Sequence, residues 1–335
     1  MTPFLAAEWL PVIFAGLMGL SILLYVILDG YDLGVGMLTR LEKAENRDLM
    51  VASIGPFWDA NETWLVLGIG LLLVAFPIAH GLILTQLYIP VTLMLVALIL
   101  RGVAFEFRAK ADPAHKPHWD NAFFTGSLLA ALCQGYMLGA YVLGFDQSLP
   151  AVLFCLLAAL GLVAGYAFIG ACWLFYKVEG PLQRRAAHWA GVTLWLTAAA
   201  MAVVSIATPL MSERIFDRWF RLPEFIALLP IPIASAALFI GLAIFLRRPE
   251  REDDALSWVP LAVAGILFAL GFVGIAYSFY PYLIVDRLDI WEAAASPEAL
   301  SIILIGTIFV LPIILGYSVL AHWIFRGKAT QLTYY

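Results

Sequence analysis

Three short blocks place residues able to carry charge or move protons within or at the ends of apolar segments. The first is Asp29-Gly30-Tyr31-Asp32-Leu33-Gly34-Val35-Gly36. The second is Gly55-Pro56-Phe57-Trp58-Asp59-Ala60-Asn61-Glu62-Thr63-Trp64. The third is Arg101-Gly102-Val103-Ala104-Phe105-Glu106-Phe107-Arg108. At helical spacing Asp29, Asp32 and Gly36 share a face. Asp59, Glu62 and Thr63 share another, with Trp58, Asn61 and Trp64 at its edges, and Arg101, Phe105 and Arg108 share a third. An ionised side chain in hydrocarbon costs at least about 2.5–3.5 kcal/mol on insertion scales. Such groups therefore face a helix bundle, a water path or a partner subunit, and intramembrane acids of this kind suit proton relay. Arg101 is expected to balance Asp59 or Glu62, because antiparallel neighbouring spans bring it to a similar depth. Each block also has a plainer reading: hydrated carboxylates at a helix end, a polar knot between helices, or basic anchoring at headgroups.

The elements that must position these residues follow from composition. The chain has 335 residues, 63% hydrophobic and 13% charged, against about 25% charged in soluble domains. A water-soluble enzyme, a nucleic-acid binder and a disordered scaffold are excluded. A membrane-crossing helix takes roughly 20 apolar residues. Nine such segments are expected near 9–36, 52–76, 81–105, 122–144, 150–176, 187–211, 225–246, 257–284 and 300–325, making residues 1–335 a single all-α transmembrane domain. Ser296-Pro297-Glu298 is a helix start, with a capping Ser, a Pro in the first helical position and an acid near the positive dipole end. Asp120-Asn121 is expected to cap the fourth span in the same way. Asp59 then lies about 12 Å from the start of the second span.

Orientation comes from Lys and Arg. Alternate loops hold Arg40, Lys43, Arg47; Arg101, Arg108, Lys110, Lys116; Lys177, Arg184, Arg185; Arg247, Arg248, Arg251; and Arg326, Lys328, fifteen of the nineteen basic residues. The opposite loops hold Arg214, Arg218, Arg221 and Arg287. The positive-inside rule places the fifteen in the cytoplasm, the N-terminus outside and the C-terminus inside. The N-terminal block lacks a basic residue, so it reads as a retained helix rather than a cleavable signal. Within Ser212–Arg221, apolar Ile215, Phe216, Trp219 and Phe220 separate from Arg214, Asp217, Arg218 and Arg221, as in a short helix lying in the interface. The pairs Gly30/Gly34, Gly135/Gly139 and Gly161/Gly165 have the spacing that lets membrane helices approach closely.

Other chemistry finds no support. Cys133, Cys155 and Cys172 are an odd number, widely spaced in apolar segments, and read as packing residues. His80, His115, His118, His188 and His322 share no helix at ligand spacing, and no C-x-x-C-H is present. No phosphate loop, nucleophile elbow, zinc spacing or nucleic-acid patch occurs. The chain therefore reads as an intramembrane acidic site without its own cofactor ligands. A proton-coupled transporter is the competing reading, but Gly55-Pro56 has no counterpart in the second half, where such folds repeat their helix breaks.

The runs Asp29–Arg40, Trp58–Trp64 and Arg101–Arg108, in this order and spacing, closely resemble subunit II of the cytochrome bd-type quinol oxidases. The Ala60-Asn61-Glu62-Thr63 version looks like the cyanide-insensitive branch. The resemblance implies two four-helix bundles plus a peripheral helix in the bacterial inner membrane. It implies a complex that oxidises quinol, reduces dioxygen to water and draws its protons from the cytoplasm. The haems, b-type with a d-type or further b-type, would reside in a partner subunit I, and a small single-helix subunit can accompany the pair. It implies a proton path at the subunit interface through Asp59, with Asn61, Glu62, Asp29 and Asp32 beside it. Arg101, Glu106, Arg108, Trp58 and Trp64 would be structural or charge partners. A quinone can serve as a structural lipid-like ligand. Glu62 departs from the pattern, since other branches carry Gln there.

Overall fold

The computed structural model describes residues 8–247 and 254–329. Arg248 and Arg251, counted above with the majority basic set, lie outside the described residues. The chain runs α1 (Leu10–Leu38), α2 (Ala44–Ile54), α3 (Trp58–Ala75), α4 (Pro77–Gln86), α5 (Tyr88–Lys110), α6 (Lys116–Val142), α7 (Leu149–Lys177) and α8 (Gly180–Met211). It continues through α9 (Glu213–Phe220), α10 (Glu224–Leu228), α11 (Pro230–Leu246) and α12 (Val259–Phe279). A two-stranded antiparallel hairpin, β1 (Tyr282–Ile284) and β2 (Leu288–Asp289), precedes α13 (Ile290–Ala293) and α14 (Pro297–Ile324). Among the described residues nine helices are long and apolar enough to cross a bilayer: α1 extended to Leu41, α3, α5, α6, α7, α8, Glu224–Leu246, α12 and α14.

Prolines set several boundaries that hydropathy placed elsewhere. Pro lacks an N–H and is best accommodated in a first helical turn. Pro90 therefore requires α5 to begin near Tyr88 rather than at 81, and the preceding residues form α4 with its own N-terminal Pro77. Pro56 separates α2 from α3, so the span expected from 52 begins at Trp58. Pro281 follows the end of α12 at Phe279, and the residues up to 284 enter the hairpin. At α14 the expected start is present: the Ser296 hydroxyl accepts from Ala299 N at 3.3 Å with Pro297 in the first turn. The expected cap at Asp120-Asn121 is not formed. α6 begins at Lys116 with Pro117 in its first turn, and Asp120 is drawn into ion pairs instead.

The described chain divides into two compact units. One gathers the chain up to Asp29, Pro56–Leu87 and Phe279–Arg326. In it Ala295 N donates to Ala75 O at 2.8 Å, and the Trp291 indole donates to Glu8 O at 2.9 Å. Asp289 and Glu292 cap α13 reciprocally. Phe57 is packed between His322 and Phe325 of the α14 end, with ring centroids 4.7 and 6.1 Å away.

The other unit gathers Gly30–Gly55, Tyr88–Ser278 and the chain from Gly327. Here α5, α6, α7 and α8 pack each against the next. Without a hydrophobic drive between helices in lipid, close backbone approach supplies the packing. The glycine pairs each find a facing helix. A Cβ on Gly34 would lie 1.8 Å from the Tyr166 carbonyl oxygen of α7, and one on Gly135 would lie 2.5 Å from Ala159 Cα. Gly139 faces Cys155, Gly161 faces Ala200, and Gly165 faces Phe268.

Candidate functional site

In the first unit, α3 turns the second block into two faces. Asn61 and Trp64 point inward and are fully buried, while Asp59 and Thr63 are exposed and Trp58 and Glu62 are half-buried. Asn61 Nδ2 donates to Leu28 O at 3.4 Å, tying α3 to α1 one residue before Asp29. One turn on from Trp64, Gly68 lets α3 lie against Ile22 and Ser21. Thr63 satisfies its own hydroxyl by donating to Ala60 O at 2.6 Å. Asp59 occupies the first turn of the helix, where the dipole favours an anion. Because α3 begins at Trp58, the carboxylate stands at the head of the spanning helix rather than two turns inside it. Val66, on the same side as Asp59 and Thr63, is 71% exposed. The acid thus heads a face that turns apolar about two turns further along, beyond Thr63.

The first block is buried. Asp29 and Asp32 are 0% and 1% exposed, which removes the reading in which both carboxylates are hydrated at a helix end. In the second unit the Tyr31 ring stacks on Trp173 at 4.0 Å with planes 6° apart, and the Trp173 indole donates to Ser53 Oγ at 3.3 Å. Close approach to α7 at Gly30, Gly34 and Gly170, and to Ser127 of α6 at Gly36, encloses the Asp32 turn.

The third block keeps its expected face. Arg101, Phe105 and Arg108 are all buried, while Glu106 is exposed. Gly126 brings α6 onto the Arg101 backbone: a Cβ there would meet Arg101 N at 2.9 Å. Asp59 and Glu62 belong to the first unit and Arg101 to the second.

Arg108 anchors an ion-pair network that spacing alone does not reveal. Its Nε donates to Asp120 Oδ1 at 2.5 Å and its Nη1 lies 2.8 Å from Asp48. Arg47 reaches the other oxygen of Asp120 at 3.0 Å, and Lys116 pairs with Asp48 at 3.3 Å. Arg47 Nε also donates to the carbonyls of Thr39 and Glu42, Arg185 pairs with Glu42, and Arg40 donates to Asn121. The segment 39–48 is thereby fastened to the α5–α6 corner. The only sequence signal is the adjacent opposite charges of Arg47-Asp48.

Three further polar contacts have no clear signal in the spacing. The Tyr166 hydroxyl donates to Gln134 Oε1 at 2.7 Å, joining α7 to α6. Lys177, buried at the end of α7, donates to Gly327 O at 2.7 Å and lies over the Trp173 ring. Lys328 answers by donating to Tyr176 O at 2.9 Å. A lysine closing a long apolar run was the available hint.

Residues 10–325 match the family model for cytochrome bd terminal oxidase subunit II. The chain is 28% identical to cytochrome bd ubiquinol oxidase subunit 2 of Bacillus subtilis, over 92% of this chain and 93% of that protein. It is 26% identical to cytochrome bd-I ubiquinol oxidase subunit 2 of Escherichia coli K12, over 94% of each. Its fold resembles a chain in the solved structure of the bd oxidase from Geobacillus thermodenitrificans, with TM-score 0.75 and 18% identity, covering 94% of this chain and 98% of that one.

Proposed function

The chain belongs to the cytochrome bd terminal oxidase subunit II family, and from that premise we propose that it is the haem-free subunit of a quinol oxidase, lining a proton route for its haem-bearing partner. It is a multi-pass protein of the bacterial inner membrane. In this reading the haems of subunit I, b-type with a d-type or second b-type, carry electrons from quinol to dioxygen. Each dioxygen takes four electrons and four protons to give two waters. This chain's residues deliver protons and hold the route in place. The majority basic loops face the cytoplasm, so the protons come from that side. A single-helix accessory subunit, lipid and a structural quinone are the further expected associates.

The observation that carries the reading is the placement of Asp59. It heads a membrane-crossing helix and faces outward, on a side that turns apolar about two turns away, at Val66. A carboxylate on such a face requires water or a protein partner. A subunit interface meets that need and puts the acid where a proton can pass. Glu62, half-buried one turn on, offers the next acceptor, and buried Asn61 ties α3 to α1. Asp29 and Asp32 are the inner acids of the same proposal. Arg101 is a charge partner in the same proposal. Glu106, Arg108, Trp58 and Trp64 are structural partners.

Asp59→Asn tests the role. In the purified complex we expect quinol-dependent oxygen uptake to fall by about 10²-fold or more, as for loss of a proton-transfer group, with the haem spectrum unchanged. Full turnover in that variant would refute the proton role.

A further inference from the structure

The connector between α8 and α11 carries a surface that the oxidase reading leaves unused. One side of α9 is docked onto its own bundle. Ile215 is buried, and the Trp219 indole donates to Ser278 Oγ of α12 at 2.7 Å. The Trp219 ring lies 3.6 Å from where a Cβ on Gly274 would stand. The Arg218 guanidinium sits over the Tyr277 ring, 5.0 Å from its centroid. Another side carries exposed Glu213, Asp217 and Arg221. Between these two sides runs a third, made of aromatic rings. Phe216 and Phe220 are exposed with centroids 4.9 Å apart, and the ladder continues to Phe225 of α10 at 6.2 Å. Leu222 and Ile226 extend it and are also exposed.

We propose that α9 and α10 form a phospholipid-binding wedge, with the Phe216–Phe220–Phe225 ladder seated among the acyl chains of one leaflet and Arg221 at the headgroup phosphates. Connectivity fixes the level. α8 is a spanning helix ending at Met211, and the next span begins with α10 at Glu224, so both ends of α9 are pinned at a bilayer edge. The apolar surface is continuous with that of the spans: Leu210 at the end of α8 is 76% exposed and Ile233 at the start of α11 is 59% exposed. A helix with one docked face, one apolar face and one charged face lies in the interface plane with its apolar side in lipid. Charge agrees with position. Of the four basic residues outside the majority loops, Arg214, Arg218 and Arg221 fall within eight residues here. Arg221, next to Phe220 and Leu222, stands where ring and headgroup levels meet. The carboxylates Glu213 and Asp217 stand on the exposed side away from the docked face. Glu224 is half-buried at the start of α10.

Site-directed spin labelling of the assembled oxidase in phospholipid nanodiscs tests this. Phe220→Cys and, independently, Phe216→Cys carry the label, and Asp217→Cys reports the charged side. The native Cys133, Cys155 and Cys172 are buried, and unsubstituted protein measures their background. Retained oxygen uptake shows that each variant is assembled. The expected result is greater accessibility to dissolved oxygen than to a water-soluble nickel chelate at 216 and 220, with the reverse at 217. Nickel accessibility equal to or above oxygen at 216 and 220 means that the ladder faces water and overturns the wedge. Shielding from both reagents means that protein covers it and overturns the wedge equally.

Discussion

Arg108 and Asp120 meet at 2.5 Å with side chains only 6% and 7% exposed, although they stand on different helices. Asp120 would have been a helix cap by sequence, and it is instead the centre of a clamp between two arginines.

Position within that clamp sets the cost of breaking it. Removing one partner of a buried pair leaves an uncompensated charge and costs about 3–5 kcal/mol, whereas an exposed pair is worth about 0–1 kcal/mol. Asp120→Asn is therefore expected to lower the thermal midpoint of the complex sharply. Asp48→Asn, at a side chain 37% exposed, is expected to lower it little. Equal shifts for the two variants would contradict the ranking.

Gly34 offers a steric test. Any side chain there drives into the Tyr166 carbonyl of α7, a backbone atom that cannot swing aside. Overpacking of a close interface costs about 1–3 kcal/mol, and more when backbone must move. Gly34→Ala is expected to reduce the yield of folded protein in detergent. Gly191→Ala, with open space at its Cβ position, is expected to match the wild type or exceed it by up to about 1 kcal/mol, because Ala favours helix. An unaffected Gly34→Ala would show that α1 and α7 are less closely packed than described.

Arg101 is 2% exposed, a charged side chain buried in the helical core. Arg101→Ala is expected to cut the recovered complex severely, by the same uncompensated-charge argument. Arg101→Lys is expected to recover part of the loss, since it restores charge without the planar fork. Normal recovery of the Ala variant would remove Arg101 from the proposed charge balance.

Glu62 is half-buried one turn beyond Asp59. If it is an obligatory carrier, Glu62→Gln should reduce oxygen uptake by about 10²-fold or more. Glutamine keeps the size and hydrogen-bonding capacity of Glu62, and we expect the variant to keep most of its turnover while Asp59→Asn does not. A loss as large as that of Asp59→Asn would place Glu62 on the obligatory route.

Several features of the site were legible because they depend on short stretches of chain. The buried face Arg101–Phe105–Arg108 follows from three- and four-residue spacing. The Ser296 cap follows from one residue's hydroxyl. The short amphipathic helix at 213–220 follows from its separation of aromatic and charged side chains. Asp59 was identified, but its level was not. Hydropathy runs through Ala52 to Ile54 without seeing that Pro56 interrupts the helix, so the acid was placed two turns too far inside its span.

What the sequence determined alone is the membrane class, the nine spanning helices found among the described residues and the concentration of charge at a few positions. These are sums over neighbouring residues, and solvation by lipid or water acts on such local sums. The tertiary structure decided which side chains meet. Asp120 turned from cap to clamp because Arg47 and Arg108 arrive from other elements. Gly34 became irreplaceable because a carbonyl of α7 stands against it. Asp29 and Asp32 are closed off because packing covers their turns of α1. Those outcomes depend on contacts between residues tens to a hundred positions apart, formed only when the helices pack, and no window of sequence contains both partners.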